Sequence, residues 1–250
     1  MGDYSGLNVV ITGGAGGIGA SCVQDFAAEG AHVFALDTSV GVLDKALRGM
    51  LGKITPMAVD VTDRAALESA FDVIANAGGT DVLVTTAAIV KPAPILDFDL
   101  DDWNRILDVN LTGTFHCCQL AGRQMVTKGK GRIVTVSSVN GQIANTGRGA
   151  YSCTKGGVDM LTKLLAAELG HKGITANAVA PAPVDTPMIK QVHGPKDREV
   201  WHQQIPAMRY AQPEEITAAI MFLASDKAAY INGHILNVDG GFMASGILLR

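Results

Sequence analysis

Residues Thr12–Gly19 read TGGAGGIG, and this short stretch decides the fold. It follows the apolar run LNVVIT at 7–12 and leads into a helical pattern. Glycines at a strand-to-helix turn let the backbone approach a pyrophosphate, and the free N–H groups of the following helix favour phosphate. We therefore expect a nucleotide site rather than a flexible turn. Its candidate residues are Thr12, Gly13, Gly14, Gly16, Gly17, Ile18 and Gly19.

Apolar runs alternate with helical patterns along the rest of the chain. The runs are nearly continuous, as strands buried on both faces are. The alternation predicts one α/β domain over residues 1–250, a Rossmann-type doubly wound parallel sheet of about seven strands with helices on both faces. The expected strands are 7–12, 32–37, 54–60, 81–86, 132–138, 173–180 and, at the sheet edge, 234–239.

Composition and charge exclude several classes of function. The 250 residues are 48% hydrophobic and carry a net charge of −4, which suits a large core and excludes a disordered chain. No basic stripe suggests a nucleic-acid partner, and no apolar run reaches the ~18 residues of a membrane span. The cysteines lack C-x-x-C spacing and the histidines form no zinc motif. We therefore expect reduced thiols, no metal and a cytoplasmic protein.

The segment 188–209 interrupts the alternation shortly after a predicted strand end. It is either a mobile substrate flap or a plain surface insertion. Its positive and negative charges are largely balanced, whereas a phosphorylated or carrier-bound substrate would need a focused basic patch. The composition therefore favours a small neutral hydroxylated substrate.

Two aspartates end predicted strands. Asp37 ends the second strand, close to the distance at which a carboxylate reaches the adenosine ribose of a dinucleotide. It would accept hydrogen bonds from both ribose hydroxyls and repel the 2′-phosphate of NADP, which predicts NAD as the cofactor. The alternative is an N-cap for the next helix. Asp60 ends the third strand, and it either bonds the adenine amino group or caps the helix that follows.

Three motifs in order resemble the short-chain dehydrogenase/reductase family over essentially the whole chain: TGGAGGIG, YSCTK at 151–155 and VDGG at 238–241. Tyr151 and Lys155 meet the family's Y-x-x-x-K motif. The serine that precedes this tyrosine by about a dozen residues is Ser138, with Ser137 as its competitor. The family's asparagine, in an N-x-x-G element, is Asn110. The resemblance implies that Ser138, Tyr151, Lys155 and Asn110 are catalytic.

Alcohol oxidation needs a proton carrier beside the hydride carrier. A free tyrosine is a poor base at neutral pH, because its pKa is about 10. Lys155 lies one helical turn beyond Tyr151 on the same face, and its ammonium, with the positive nicotinamide, should lower that pKa. Ser138 would orient the substrate oxygen, and Asn110 would hold a water that passes protons from Lys155. Without these roles, Tyr151 and Lys155 would mark an exposed helix start.

Two stretches depart from the family pattern. PAPVDTPM at 181–188 has Ala182 in place of a glycine, and the resemblance implies that it holds the nicotinamide carboxamide. TTAA at 85–88 stands where the family has N-N-A-G, and Thr86 is expected to replace part of the lost hydrogen bonding. The remaining cofactor contacts that the resemblance implies are Val61, Thr86, Ala87, Tyr151, Lys155, Pro181, Val184 and Thr186.

These observations predict an NAD-dependent oxidoreductase acting on a polyol, sugar or small hydroxy compound. A 3-oxoacyl-thioester reductase is the alternative, although Asp37 counts against it because such reductases usually use NADPH. A non-catalytic nucleotide-sensing protein is a further alternative. The resemblance also implies a homotetramer, with the apolar tail 241–250 at a subunit interface.

Overall fold

The computed structural model describes residues 2–246, and its centre is a seven-stranded sheet in the order β3-β2-β1-β4-β5-β6-β7. Every pairing between neighbouring strands is parallel. The predicted parallel sheet is therefore confirmed, with its last strand at the edge. The strands are β1 (Asn8–Thr12), β2 (His32–Asp37), β3 (Lys53–Ala58), β4 (Val82–Thr85), β5 (Gly131–Val136), β6 (Ile174–Pro181) and β7 (Ile235–Val238).

Helices connect the strands and cover both faces of the sheet. The stretch 100–128 is continuous helix with a π-helical turn at Asp108–Thr112. The α-helices of the described residues are α1 (Gly17–Ala28), α2 (Val40–Ala46), α3 (Arg64–Asn76), α4 (Leu100–Leu107), α5 (Gly113–Lys128), α6 (Gly149–Leu169), α7 (Pro187–Val192), α8 (Pro195–Gln204) and α9 (Pro213–Ala224).

The core has two layers because successive strand side chains point to opposite faces. Val9 and Ile11 of β1 belong to the layer that includes Phe26 of α1, whereas Val10 belongs to the layer that includes Phe71 of α3. All five side chains are almost fully buried, and each contributes roughly 1.5–3 kcal/mol by leaving water. Burial on both faces explains the continuous apolar runs of the sequence.

The strand order places the candidate site residues at one edge of the sheet. From β1 the chain proceeds outward through β2 and β3, and it then returns to the other side of β1 to form β4. Connections of opposite direction leave a crevice between the ends of β1 and β4, which is where parallel sheets bind ligands. The loops after β5 and β6 open on the same side, since the strands are parallel.

The predicted flap at 188–209 contains two short helices, α7 and α8. Pro187 and Pro195 each occupy the first turn of their helix, where a proline costs no hydrogen bond. Both helices lie next to the ends of β5 and β6. Their residues Met188, Ile189 and Trp201 line a pocket at this place. The segment 188–209 thus forms part of the wall of this pocket, while its role as a mobile substrate flap stays a prediction.

Candidate active site

The glycine-rich loop packs backbone against backbone on the end of β4. Gly13 has a φ of +67°, and a Cβ there would lie 2.8 Å from the Ala87 nitrogen. A Cβ on Gly19 would lie 2.0 Å from the Gly13 carbonyl oxygen, so neither position accepts a side chain. Helix α1 begins without a side-chain cap, because its N-cap residue is Gly16. Its first N–H groups therefore suit a phosphate.

Thr86 ties the glycine-rich loop to the central strands. Its hydroxyl donates to the Thr12 carbonyl oxygen at 2.6 Å and lies 3.3 Å from that of Gly13. The neighbouring Ala87 N–H points back to the Thr12 hydroxyl at 3.4 Å. The hydrogen bonding expected of Thr86 in place of an asparagine is present.

Asp37 lies beside the glycine-rich loop and does not cap a helix. Its carboxylate accepts hydrogen bonds from the Ala15 N–H at 3.0 Å and the Thr38 N–H at 2.8 Å. Helix α2 is capped instead by Ser39, which accepts from the Val42 N–H. The capping interpretation of Asp37 is therefore wrong, and its partly exposed carboxylate is free to meet a further donor.

Asp60 does not cap a helix either, because Asp63 caps α3. One Asp60 oxygen accepts from the Thr62 N–H and hydroxyl, and the other pairs with Arg105 at 3.1 Å. Burial alone would raise the pKa of Asp60, but the bonds from Thr62 and Arg105 lower it below its usual value. Its contact with adenine stays a prediction. The neighbouring Val61 is buried.

Ser138 and Tyr151 meet where β5 ends and α6 begins. Both residues line one pocket, and the Ser138 hydroxyl acts to lower the pKa of the Tyr151 phenol. The Ser138 oxygen accepts from the Asn140 N–H at 3.1 Å. The competitor Ser137 instead directs its hydroxyl at the Lys155 carbonyl oxygen of α6, 3.3 Å away. Of the two serines, geometry therefore selects Ser138 as the partner of Tyr151.

Lys155 is buried beneath the tyrosine ring, with 3% of its surface exposed. Its Nζ lies 5.6 Å from the centre of the Tyr151 ring and donates to the Val136 carbonyl oxygen at 2.7 Å. Burial lowers the pKa of Lys155 to about 8. An exposed helix start is therefore the wrong interpretation of this pair.

The pKa of Tyr151 runs against the expected direction. Burial raises it, while the nearby Ser138 hydroxyl and the charge of Arg148 only partly offset that effect. The chain's own groups thus leave the phenol protonated at neutral pH, and the prediction that Lys155 lowers this pKa is not met by the protein alone. The physical reason is that burial of the phenol outweighs the groups that favour its ionised form.

Asn110 lies in the π-helical turn between α4 and α5 and is completely buried. Its amide nitrogen donates to the Ile89 carbonyl oxygen at 2.9 Å, and its oxygen accepts from the Ile89 N–H at 2.8 Å. A third bond of 3.3 Å reaches Thr154, the neighbour of Lys155. Asn110 therefore fixes the loop after β4 against α6, and its role toward a water stays a prediction.

The segment after β6 meets the glycine-rich loop. Thr186 is buried, caps α7 and accepts from the Ile189 N–H at 3.3 Å. A Cβ on Gly17 would lie 2.5 Å from the Thr186 methyl group, so the two segments touch. Pro181 and Val184 line the same pocket as Tyr151. The fold thus brings together the sequence-predicted residues at the ends of β1, β5 and β6 and at the start of α6. Asp37 lies at the carboxyl end of β2, and Asp60 lies two residues beyond the end of β3.

An open pocket of about 690 Å³, counting its mouth, lies between these segments. Among the charged and aromatic residues of its lining, Arg148 escaped the sequence analysis, whereas His193 and Trp201 were expected only as members of the flap 188–209. The available signal for Arg148 was its position three residues before Tyr151, which puts both on one side of a helix start. Nothing local marks His193 and Trp201, which reach the pocket through the packing of α7 and α8.

Within residues 2–246, no group of three or more His, Cys, Asp or Glu side chains is arranged to hold a metal ion. No helix among these residues is long and apolar enough to cross a membrane.

Known proteins resemble the chain over nearly its full length. The family model described as "Enoyl-(Acyl carrier protein) reductase" matches residues 13–243. The 3-oxoacyl-(acyl-carrier-protein) reductase of Thermotoga maritima is 39% identical over 94% of this chain and 96% of that protein. The D-threitol dehydrogenase of Mycolicibacterium smegmatis is 38% identical over 95% of this chain and 93% of that protein. A crystal structure of a gluconate 5-dehydrogenase from Burkholderia cenocepacia, in complex with NADP and tartrate, matches with a TM-score of 0.92 and 32% identity, over 97% of each chain.

Proposed function

Because the chain belongs to the short-chain dehydrogenase/reductase family of oxidoreductases, we propose that it interconverts a small secondary alcohol and the matching ketone with NAD. A polyol, sugar or small hydroxy compound is the substrate class. The observation that carries the proposal is the presence of Ser138 and Tyr151 in the wall of one pocket, with the buried Lys155 ammonium 5.6 Å from the centre of the tyrosine ring.

The chain's groups divide the proton work among them. NAD, when bound, supplies the hydride acceptor. Ser138 donates a hydrogen bond that orients the substrate oxygen, and Tyr151 takes the hydroxyl proton as the base. Lys155 adds positive charge below the ring and holds the ribose of the nicotinamide. Asn110 keeps the wall behind Lys155 in place and holds the water that leads protons away.

Asp37 favours NAD over NADP. Its carboxylate stands against the glycine-rich loop, and neither residues 12–19 nor residues 36–42 include a lysine or arginine that could offset a 2′-phosphate. Like charges of this size repel strongly at contact distance. The gluconate 5-dehydrogenase of similar fold is in complex with NADP, so the fold alone does not select NAD, and the choice of NAD rests on Asp37.

A 3-oxoacyl-thioester reductase is the second candidate, favoured by the 39% identity to the Thermotoga maritima enzyme. The flap counts against it. Lys190 and Arg198 both pair with Asp185, and Arg209 pairs with Glu215. Most of the flap's cations are thus paired with carboxylates, whereas an acidic carrier protein needs a focused patch of free ones. The buried Tyr151 and Lys155 count against a non-catalytic sensor.

A turnover assay tests the function. Purified protein would be assayed with NAD and with NADP over D-threitol, galactitol, gluconate and other small hydroxy compounds, and in reverse with a 3-oxoacyl thioester and NADPH. We expect NAD-dependent oxidation of at least one alcohol and none by the Tyr151→Phe variant. Turnover confined to the thioester would establish the second candidate. NADH binding without any turnover would leave the non-catalytic sensor.

The chain assembles, in this proposal, as a cytoplasmic homotetramer through α5 and α6. These helices expose apolar side chains that a second copy could cover, including Phe115, Met160 and Leu164, each about half exposed. Of the tail 241–250 also expected at an interface, residues 247–250 lie outside the described residues. Light scattering during size-exclusion chromatography measures the assembly directly.

A further inference from the structure

Arg148 places a positive charge in the wall of the active-site pocket. It is the last residue before α6 and precedes Tyr151 by three positions. Its side chain lines the same pocket as Tyr151 and Ser138, and its charge acts on the Tyr151 phenol. A group bound at Tyr151 is therefore also within the field of Arg148.

A neutral histidine holds one arm of the guanidinium. The Arg148 Nη2 lies 2.7 Å from the His193 Nε2. Because a guanidinium can only donate, Nε2 accepts, and the His193 Nδ1 carries the hydrogen that it gives to the Tyr210 hydroxyl at 2.8 Å. Burial and the Arg148 charge lower the pKa of His193, which keeps it neutral. The hydrogen bond to His193 fixes the position of the guanidinium, but the neutral histidine does not offset its positive charge.

The other arm has no partner. The Arg148 Nη1 is buried from solvent and makes no hydrogen bond among residues 2–246. The carboxylate whose charge reaches Arg148 is that of Asp197, which forms no ion pair with it and instead accepts from the Gly194 N–H. Five other arginines of the described residues have carboxylate partners, namely Arg64, Arg105, Arg132, Arg198 and Arg209, whereas Arg48 and Arg123 are exposed to solvent.

The rest of the lining offers nothing to satisfy this charge. Among the described residues that line the pocket there is no aspartate or glutamate. Its walls are largely apolar, with Val90, Val139, Met188 and Trp201 among them. A charge in such surroundings is costly unless a counter-ion joins it, so the ligand is the available source of that counter-ion.

We infer that the pocket takes a small hydroxy carboxylate and its oxo acid, with the carboxylate bound by Arg148 and the reacting carbon at Tyr151. This inference rests on the proposed function. In the oxidation, the carbinol C–H passes as hydride to NAD, the hydroxyl proton passes to Tyr151, and the C–O bond becomes a carbonyl. The carboxylate is unchanged. One guanidinium with one free arm matches a single carboxylate rather than a phosphate ester, which carries nearly two charges.

Matched acids and amides test the inference. Hydroxy acids of four to six carbons, with the hydroxyl at position 3, 4 or 5, would each be compared with the primary amide, which keeps the shape and loses the charge. We expect kcat/KM of the best acid to exceed that of its amide by about 30-fold or more. Arg148→Gln should lower kcat/KM of the acid by about 100-fold, as loss of a buried charge partner does, and should lower that of the amide far less, so that the preference for the acid is lost.

Three variants separate the explanations. Arg148→Lys keeps the charge and should retain more of the preference for the acid than Arg148→Gln. Arg48→Gln removes an exposed positive charge outside the pocket and should leave both substrates unchanged. If Arg148→Gln lowers acid and amide equally and moves the pH profile upward, Arg148 acts through Tyr151, and the inference is wrong. Equal kcat/KM for acid and amide in the wild type would also overturn it, whether or not the glutamine variant folds.

A binding measurement separates this inference from the proposed function. The hydroxy acid is titrated into the NADH complex, where it cannot react, and its Kd is read from NADH fluorescence. Tighter binding of the acid than of its amide, lost in Arg148→Gln, supports the inference even if no alcohol is turned over. Turnover of neutral alcohols without any dependence on Arg148 would leave the proposed function intact and refute the carboxylate site.

Discussion

Burial of Lys155 should destabilise the folded protein less at high pH than at neutral pH, and the difference can be measured as a change in the free energy of unfolding. The side chain is 3% exposed, and its ammonium has one hydrogen-bond partner, the Val136 carbonyl oxygen. Asp159, one turn further along α6, raises its pKa, but burial is the larger effect and lowers it from 10.5 to about 8. Folding therefore favours the neutral amine. Replacing Lys155 with Met removes the ionisable group at nearly the same length.

The sign and size follow from linkage. A lysine whose pKa is lower in the folded state destabilises the protein wherever the unfolded chain binds the extra proton. That penalty is largest below pH 8 and disappears as the pH rises toward 10.5. Between pH 7.5 and pH 9.5 the wild type should regain about 2 kcal/mol relative to Lys155→Met. For a chain of this length that corresponds to roughly 4–8 °C in Tm.

The assay is a difference measurement on the protein without cofactor. Urea unfolding of both proteins is followed by tryptophan fluorescence at pH 7.5, 8.5 and 9.5. The buried thiols complicate either curve alone, because burial raises the pKa of Cys22 and Cys117 to about 12 and their stabilisation is lost as the pH rises past that of a free thiol. This loss is common to both proteins and cancels in the difference.

Lys163→Met provides the control, because this lysine is exposed on the same helix and its ammonium stays in solvent when the chain unfolds. The difference in free energy of unfolding between Lys163→Met and the wild type should not change with pH. A gap for Lys155→Met that also stays constant to within about 0.5 kcal/mol would show that the buried amine keeps its ordinary pKa. The account of Lys155 given above would then be wrong.

Three further predictions concern the cofactor and the proton carrier. The wild type should bind NAD at least about tenfold more tightly than NADP, and Asp37→Ala should narrow that gap; equal Kd values in the wild type would contradict the assignment. Tyr151→Phe should lower kcat by about 100-fold or more with the NADH Kd within about threefold, whereas substantial remaining turnover would require another proton carrier. Thr86→Asn combined with Ala88→Gly should keep the circular dichroism spectrum and bind NAD equally or more tightly. A large loss of affinity would mean that the pocket is built around TTAA.

The sheet could be predicted from the sequence because its strands are buried on both faces. Every expected strand from 7–12 to 234–239 overlaps an observed one, and β2 has the predicted bounds. Hydrophobic periodicity predicts a segment less well when only isolated side chains of that segment are buried. The helices α7 and α8 within 188–209 are short. Their positions depend on a few side chains that line the pocket rather than on a continuous apolar face. The π-helical turn at Asp108–Thr112 had no sequence signal either.

The sequence was enough to locate the candidate residues at the strand ends, but it was not enough to predict the charged groups that surround them. Ser138, Tyr151 and Lys155 lie within 18 residues of one another in the sequence, so one strand end and one helix fix their proximity. The partners of Arg148 are His193, 45 residues away, and through it Tyr210. Such contacts arise only from tertiary packing, so the positive charge in the pocket escaped the sequence analysis, and with it the reason to expect an anionic ligand.

The pKa values of Tyr151 and Lys155 together bear on when the proton carrier becomes active. Burial raises the pKa of the phenol and lowers that of the lysine to about 8, so at neutral pH the protein alone presents a neutral phenol beside a mostly charged ammonium. Arg148 is the charge that already lowers the pKa of Tyr151, and the positive nicotinamide of NAD would be the second. A carboxylate on Arg148 offsets the first of these charges and leaves the second. Deprotonation of Tyr151 should therefore depend on bound NAD rather than on the substrate, which orders the reaction with the cofactor first.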